Sequence, residues 1–172
     1  MQKLMIVFGL PGAGKSYVAD VLSKSFGFTH YNGDTDIPKD MRDALWRKEK
    51  ITDDMRRQFI ANMIASIKKM TNTEKKLVIH QTFLKEFMRK QFLAAFPKVQ
   101  FLLVETPPVL REQRYMKRKY FNLGLEYLRH MSALFEPVKI PHSVITNSKD
   151  GKEDIEGQFE KLLGEKVTPG NP

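Results

Sequence analysis

Residues 9–16 read Gly9-Leu10-Pro11-Gly12-Ala13-Gly14-Lys15-Ser16, which satisfies the pattern G-x-x-x-x-G-K-[ST]. A loop of this type turns successive backbone N–H groups toward a phosphate, brings a lysine to the β/γ oxygens and leaves a Ser hydroxyl for Mg²⁺. Its neighbours restrict the fold. Lys3–Phe8 is a short apolar run of strand type, and Val18, Val21, Leu22 and Phe26 recur at helical spacing. The loop therefore joins a strand to a helix whose N-terminus adds partial positive charge and unpaired N–H donors. The expected nucleotide contacts are Gly9 through Ser16 with the adjoining Tyr17, and the expected ligand is ATP with Mg²⁺ on Ser16.

A chain of 172 residues suits one domain with one substantial core. No apolar run approaches the ~18 residues that would span a bilayer, and the first apolar stretch is only strand-length, so no signal peptide is expected. Cysteine is absent, which excludes disulfides and thiolate metal sites. The cytoplasm is the expected compartment. A count of 29 basic against 20 acidic residues gives a net charge of +9, which raises the question of nucleic acid. The densest basic cluster, Arg111 with Arg114, Lys117, Arg118 and Lys119, suits a polyphosphate as well as a duplex. Nucleic acid is the less favoured partner.

Strand-like runs also occupy residues 77–80, 99–104 and 143–146, with a weaker one near 28–31. Helical patterns separate them, and this alternation predicts a parallel sheet covered on both faces. Met55, Phe59, Met63, Ile67 and Met70 form a core-facing stripe behind Thr52 as N-cap. Thr106 reads as a second N-cap, with Pro107 at the first helical position. Ile155, Phe159, Leu162 and Leu163 form a closing helix that stops near Gly164, and residues 166–172 read as a flexible tail.

In open α/β sheets ligands bind beyond the carboxyl ends of the strands. Asn32-Gly33-Asp34-Thr35-Asp36 sits at such an end. Phosphoryl transfer to an alcohol needs a group that orients the hydroxyl and takes its proton, and Asp34 is the candidate. Both acids also fit a turn, or an N-cap for the helix from Pro38. Gln81 or Thr82 could hold a metal-bound water or the acceptor, and Arg42 and Lys85 could bind an anionic acceptor. The four histidines lack close ligand spacing, so no zinc site is expected.

These segments together resemble P-loop small-molecule kinases of the gluconate kinase and shikimate kinase group. The resemblance rests on Gly9–Ser16, on Asn32-Gly33-Asp34 with Pro38, on Ile51-Thr-Asp-Asp-Met-Arg56 and on Leu84-Lys85. Arg114 with Arg118, then Phe135-Glu-Pro137, extend it, so that it covers roughly residues 4–160. It implies a lid at about 113–125, Arg114 and Asn147-Ser-Lys149 near adenine, and Arg118 on the transferring phosphoryl, where an always-charged fork is suited. Gluconate kinases are also compatible with a homodimer. This chain departs from the gluconate pattern at Asn32, where that family has Asp, at Ile37, where it has His, and at Lys39-Asp-Met-Arg42. In that family the first acid assists Mg²⁺, and the positions of Ile37 and Lys39–Arg42 face the acceptor.

The expectation is thus a three-layer α/β P-loop NTPase fold over residues 1–165, with a mostly parallel five-stranded sheet and a small lid. Lys15, Asp34 and Arg118 are the expected catalytic residues. The expected reaction moves the ATP γ-phosphate to a hydroxyl of a small metabolite, with a sugar acid such as gluconate as one candidate. A nucleoside, nucleotide or polynucleotide 5′-hydroxyl kinase is the alternative, and an ATP-dependent switch is the rival from another class.

Overall fold

Residues 3–119 and 122–167 are described by the computed structural model. Strand β1 (Lys3–Phe8) alternates its side chains between two cores. Leu4, Ile6 and Phe8 enter one, and Met5 and Val7 the other. A strand buried on both faces reads as a continuous apolar run, which is why this segment shows no polar alternation. It pairs in parallel with β3 (Lys76–Gln81) and β4 (Gln100–Glu105). Strand β2 (Thr29–Asn32) adds to β3 and β5 (Ser143–Thr146) to β4. The order is β2-β3-β1-β4-β5 and every pairing is parallel, an α/β architecture with helices on both faces.

Helices α1 (Lys15–Phe26) and α7 (Glu153–Leu163) cover one face through Val18, Leu22, Phe26, Ile155 and Phe159. Helices α2 (Lys39–Trp46), α3 (Asp53–Met70) and α4 (Glu86–Ala95) cover the other. Thr52 caps α3 by accepting from Met55 N–H at 3.2 Å, and Asp53 and Asp54 complement the helix dipole. Helix α5 (Pro108–Met116) departs from expectation at its start, because Pro107 is its cap and Pro108 its first residue. The Thr106 hydroxyl is used elsewhere, 2.9 Å from the Ala13 carbonyl and 3.0 Å from that of Asn147. Helix α6 (Leu125–Leu134) then packs on α5.

The segment expected to form a lid spans the end of α5 and the start of α6, and its residues 120–121 lie outside the described residues. Tyr115 Oη accepts from Leu123 N–H at 3.2 Å across it. Of the expected tail, Lys166 and Val167 are tethered to Glu160, and residues 168–172 lie outside the described set. Among the described residues no helix is long and apolar enough to cross a membrane.

Candidate active site

The sheet topology sets the site. The strand ends of β1, β2 and β3 meet at one edge, and a cavity of about 550 Å³ opens there. Pro11, Lys15, Ser16, Asp34 and Arg118 all line it. Residues far apart in the chain, from the first crossover, the second strand end and the α5–α6 connection, are thus brought together.

The phosphate loop is held from outside. Gly12 and Gly14 have φ of 82° and 86°, in the left-handed region that favours glycine. A Cβ on Gly12 would strike the Arg111 carbonyl, and one on Gly14 the Asn147 amide. Asn147 is 2% exposed. Its Nδ2–H donates to the Ala13 carbonyl at 2.9 Å, and its own carbonyl accepts from Arg114 Nη1–H at 2.8 Å. Arg114 and Asn147 are therefore neighbours against the outer wall of the loop. Arg111 is the contact that sequence reasoning missed, since only its membership of a basic cluster was visible.

Lys15 is 7% exposed, and its ammonium donates to the Leu10 carbonyl at 3.0 Å. Burial, with the guanidinium of Arg118 and then that of Arg111 nearby, pulls its pKa down to about 7, and the Asp34 carboxylate opposes them. Lys15 thus sits in the positive field of two arginines, partly offset by Asp34. Arg118 lies over the Tyr115 ring, 5.2 Å from guanidinium carbon to centroid.

Asp34 belongs to a short 3-10 turn, Gly33–Asp36, that follows β2. Asn32 caps this turn through Oδ1, which accepts from Asp34 N–H at 3.0 Å. Gln81 Oε1 accepts from Thr82 N–H at 2.6 Å, so its NH₂ must face Asp34 Oδ1, 2.6 Å away. One carboxylate oxygen is thereby fixed, and among the described residues Oδ2 has no partner. Asp36 has a structural task, as it accepts from Tyr31 Oη at 2.8 Å and Ser66 Oγ at 2.6 Å. Across the cavity the Tyr127 hydroxyl is pushed up to about 12 by burial, then Tyr115 and the Asp34 charge, so it stays protonated.

Two expected acceptor contacts do not reach the cavity. Helix α2 buries Met41, Ala44 and Leu45, which turns Arg42 outward, where its guanidinium donates to the Ile37 carbonyl at 3.2 Å. Lys85 instead pairs with Glu136 at 3.2 Å. Arg56 lines the cavity in their place, 7% exposed, with Nη1–H donating to the Ile51 carbonyl at 2.7 Å and to Asp53 at 3.2 Å. The periodicity of α3 holds the signal for this, because Arg56 shares a face with Phe59, Ile60 and Met63.

His80 and His30 approach at 2.7 Å between His80 Nδ1 and His30 Nε2, a hydrogen bond across β2 and β3. Burial, then His30, Lys15 and Arg118, pull His80 down to about 3, so it is neutral at ordinary pH. No group of three or more metal-ligating His, Cys, Asp or Glu side chains occurs among the described residues.

The wall behind Gln81 and Thr82 depends on Arg89, a residue whose role the sequence did not announce. It is 0% exposed. Its guanidinium donates to the carbonyls of Phe83, Leu84, Glu136 and Pro137 at 2.9–3.1 Å and to Glu86 Oε2 at 2.8 Å. This clamp joins the turn after β3 to Phe135-Glu-Pro137. It also holds Phe83 at φ 50°, a strained backbone for a bulky residue. The Phe83 ring is pinned edge-on by Phe92 and Phe101, at 5.7 and 6.0 Å.

Solved structures share this architecture. A sugar kinase from Janibacter sp. HTCC2649 has a TM-score of 0.81 at 19% identity, covering 95% of this chain and 95% of that one. A gluconokinase from Sinorhizobium meliloti 1021 gives 0.73 at 17%, covering 94% and 96%. A shikimate kinase from Acinetobacter baumannii in complex with shikimate gives 0.62 at 18%, covering 95% and 94%. Likeness at these identities establishes the fold. Among curated proteins none matches the sequence. The model of the AAA domain family matches residues 4–138. Because that match runs from the first strand through the phosphate loop to the segment that Arg89 clamps, this chain belongs to the AAA domain family.

Proposed function

We propose that the protein is an ATP-dependent phosphotransferase acting on the hydroxyl of a small molecule. The observation that carries this reading is Lys15 and Asp34 lining one cavity, with a carboxylate oxygen of Asp34 left unpaired by the Gln81 bond.

The loop amides and Lys15 hold the β- and γ-phosphates of ATP. The acceptor hydroxyl oxygen forms a bond to the γ-phosphorus as the bond to the β,γ-bridging oxygen breaks, ADP keeps that electron pair, and the hydroxyl proton passes to Asp34 Oδ2. Arg118, at the cavity rim, offsets charge on the transferring group. Asn147 and Arg114 act on the nucleotide through the loop they brace. Closure of the α5–α6 connection excludes water and limits idle hydrolysis.

The residues fit Mg²⁺. The Ser16 hydroxyl is an exposed hard oxygen without a protein partner among the described residues, and Mg²⁺ in such sites takes most of its ligands from phosphate and water. When bound, it neutralises phosphate charge.

Asp34→Asn should keep nucleotide binding nearly unchanged, because the Gln81 bond to Oδ1 is retained. Turnover should fall by about 10²–10⁴ because the remaining NH₂ cannot take a proton. Calorimetry and a coupled ADP assay check the two halves, and equal turnover by both proteins removes Asp34 from the mechanism.

Lys15 gives a pH signature. Its free pKa of about 7 must rise when an anion arrives, so binding takes up a proton above pH 7. Nucleotide affinity should then weaken by up to about tenfold per unit as pH rises from 7 to 9. Titration calorimetry in buffers of different ionisation enthalpy should record uptake approaching one proton at pH 8.

A further inference from the structure

Apolar side chains make up much of the lining of the cavity that Asp34 shares: Ile37, Met41, Leu45, Phe59, Met88 and Met131. The first five belong to or pack on the core that covers the α2–α4 face of the sheet, so the acceptor space opens directly onto it. Several of the polar groups that line it are committed. His80 is bonded to His30, Gln81 to Asp34 and to Thr82 N–H, and Arg56 Nη1 to the Ile51 carbonyl and Asp53. A polyhydroxylated acid would leave several hydroxyls buried without partners, which is strongly unfavourable.

We propose that this cavity seats the apolar, ring-containing body of an alcohol acceptor, with its hydroxyl at Asp34. The rest of Arg56 and the protonated Tyr127 hydroxyl suffice for one or two further polar atoms. Three thioether side chains, Met41, Met88 and Met131, suit a ring, because they adapt in shape and make favourable sulfur–aromatic contacts. A cavity of about 550 Å³ admits such a body beside the phosphates. This inference rests on the phosphotransfer reading for the hydroxyl's fate, but the ring site itself can be tested without turnover.

The test is a titration of ¹³C-methyl-methionine protein, loaded with a non-hydrolysable ATP analogue, with 2-phenylethanol, cyclohexylmethanol, thymidine and gluconate. Signals are assigned by single Met→Leu changes. The ring alcohols should move the methyls of Met41, Met88 and Met131 at concentrations about 10²-fold below gluconate, the gain expected for burying one ring. Met131→Gln should weaken ring-alcohol binding about tenfold, and Met131→Leu should restore it. Gluconate acting at equal or lower concentration, or ring alcohols that move none of the three methyls, overturns the proposal. Phosphorus NMR with ATP then separates the two ideas. Phosphoester formed on gluconate in preference to ring alcohols defeats the ring site and leaves phosphotransfer standing. Ring alcohols that bind without forming phosphoester defeat phosphotransfer and leave the ring site standing.

Discussion

Replacing Lys15 with Ala should lower kcat/KM for ATP by about 10³-fold or more while leaving the fold intact. The Lys15 ammonium lies inside the loop, held on the Leu10 carbonyl, and its neighbours Arg118 and Arg111 cannot substitute for a donor that reaches from within. The same substitution should change how stability depends on pH, in a direction that follows from the lowered pKa. An unfolded lysine binds its proton up to about pH 10.5, whereas the folded one releases it from about pH 7. Between these values the unfolded state holds more protons, so wild-type stability rises with pH across that window. The burden is absent above pH 10.5 and fully developed below about pH 7. Lys15→Ala should abolish this slope. Chemical denaturation at pH 6.5 and 9 together with nucleotide titration tests the claim, and a variant that binds and turns over ATP normally defeats the phosphate-loop assignment.

Arg89→Leu should destabilise the protein by about 3–5 kcal/mol, because it orphans buried partners rather than merely deleting a charge. Four carbonyls and the Glu86 carboxylate accept from this one guanidinium, which also lies 4.7 Å from the Phe135 ring centroid and 5.5 Å from that of Phe8. Leucine fills part of the volume and satisfies none of these acceptors. For a chain of this size the loss corresponds to a fall in Tm of roughly 6–20 °C. Arg89→Lys should recover only a fraction, since a single ammonium cannot span the fork that joins Phe83 to Pro137. Activity should fall as well, at temperatures where both variants are folded, because the turn that follows Gln81, which bonds Asp34, loses its clamp. Thermal melts and kinetics at 15 °C check this, and a Tm within 2 °C of wild type would show the clamp to be dispensable.

Much of the architecture was legible because local rules and tertiary packing agree. The apolar run Lys3–Phe8, the Gly-rich turn and the spaced apolar residues of α1 all specify strand, loop and helix without help from distant parts. Thr52 caps α3 as its side chain predicts. Thr106 shows where such reasoning fails. Its hydroxyl had a good local use at a helix start, but the carbonyls of Ala13 and Asn147, brought close by β4 and β5, offered a buried one. Arg42 and Lys85 show the same dependence on tertiary packing. A cation is easily imagined near an acceptor, but the buried face of α2 and the Glu136 carboxylate decide where those two charges go.

What the chain alone determines is the strand, Gly-rich loop and helix at residues 3–26, because local rules specify each of them, although Asn147 and Arg111 brace the loop from distant parts of the chain. The spacing of 19 residues from Lys15 to Asp34 leaves room for that helix and one further strand. What only the folded molecule decides is everything that depends on side chains meeting across crossovers. The Gln81 bond that orients Asp34, the Arg89 clamp, and the thioether and hydrocarbon lining of the cavity are each assembled from separate elements. Parallel strands place such residues side by side through connections of a dozen or more residues, and no periodicity within one segment records which neighbours will face each other.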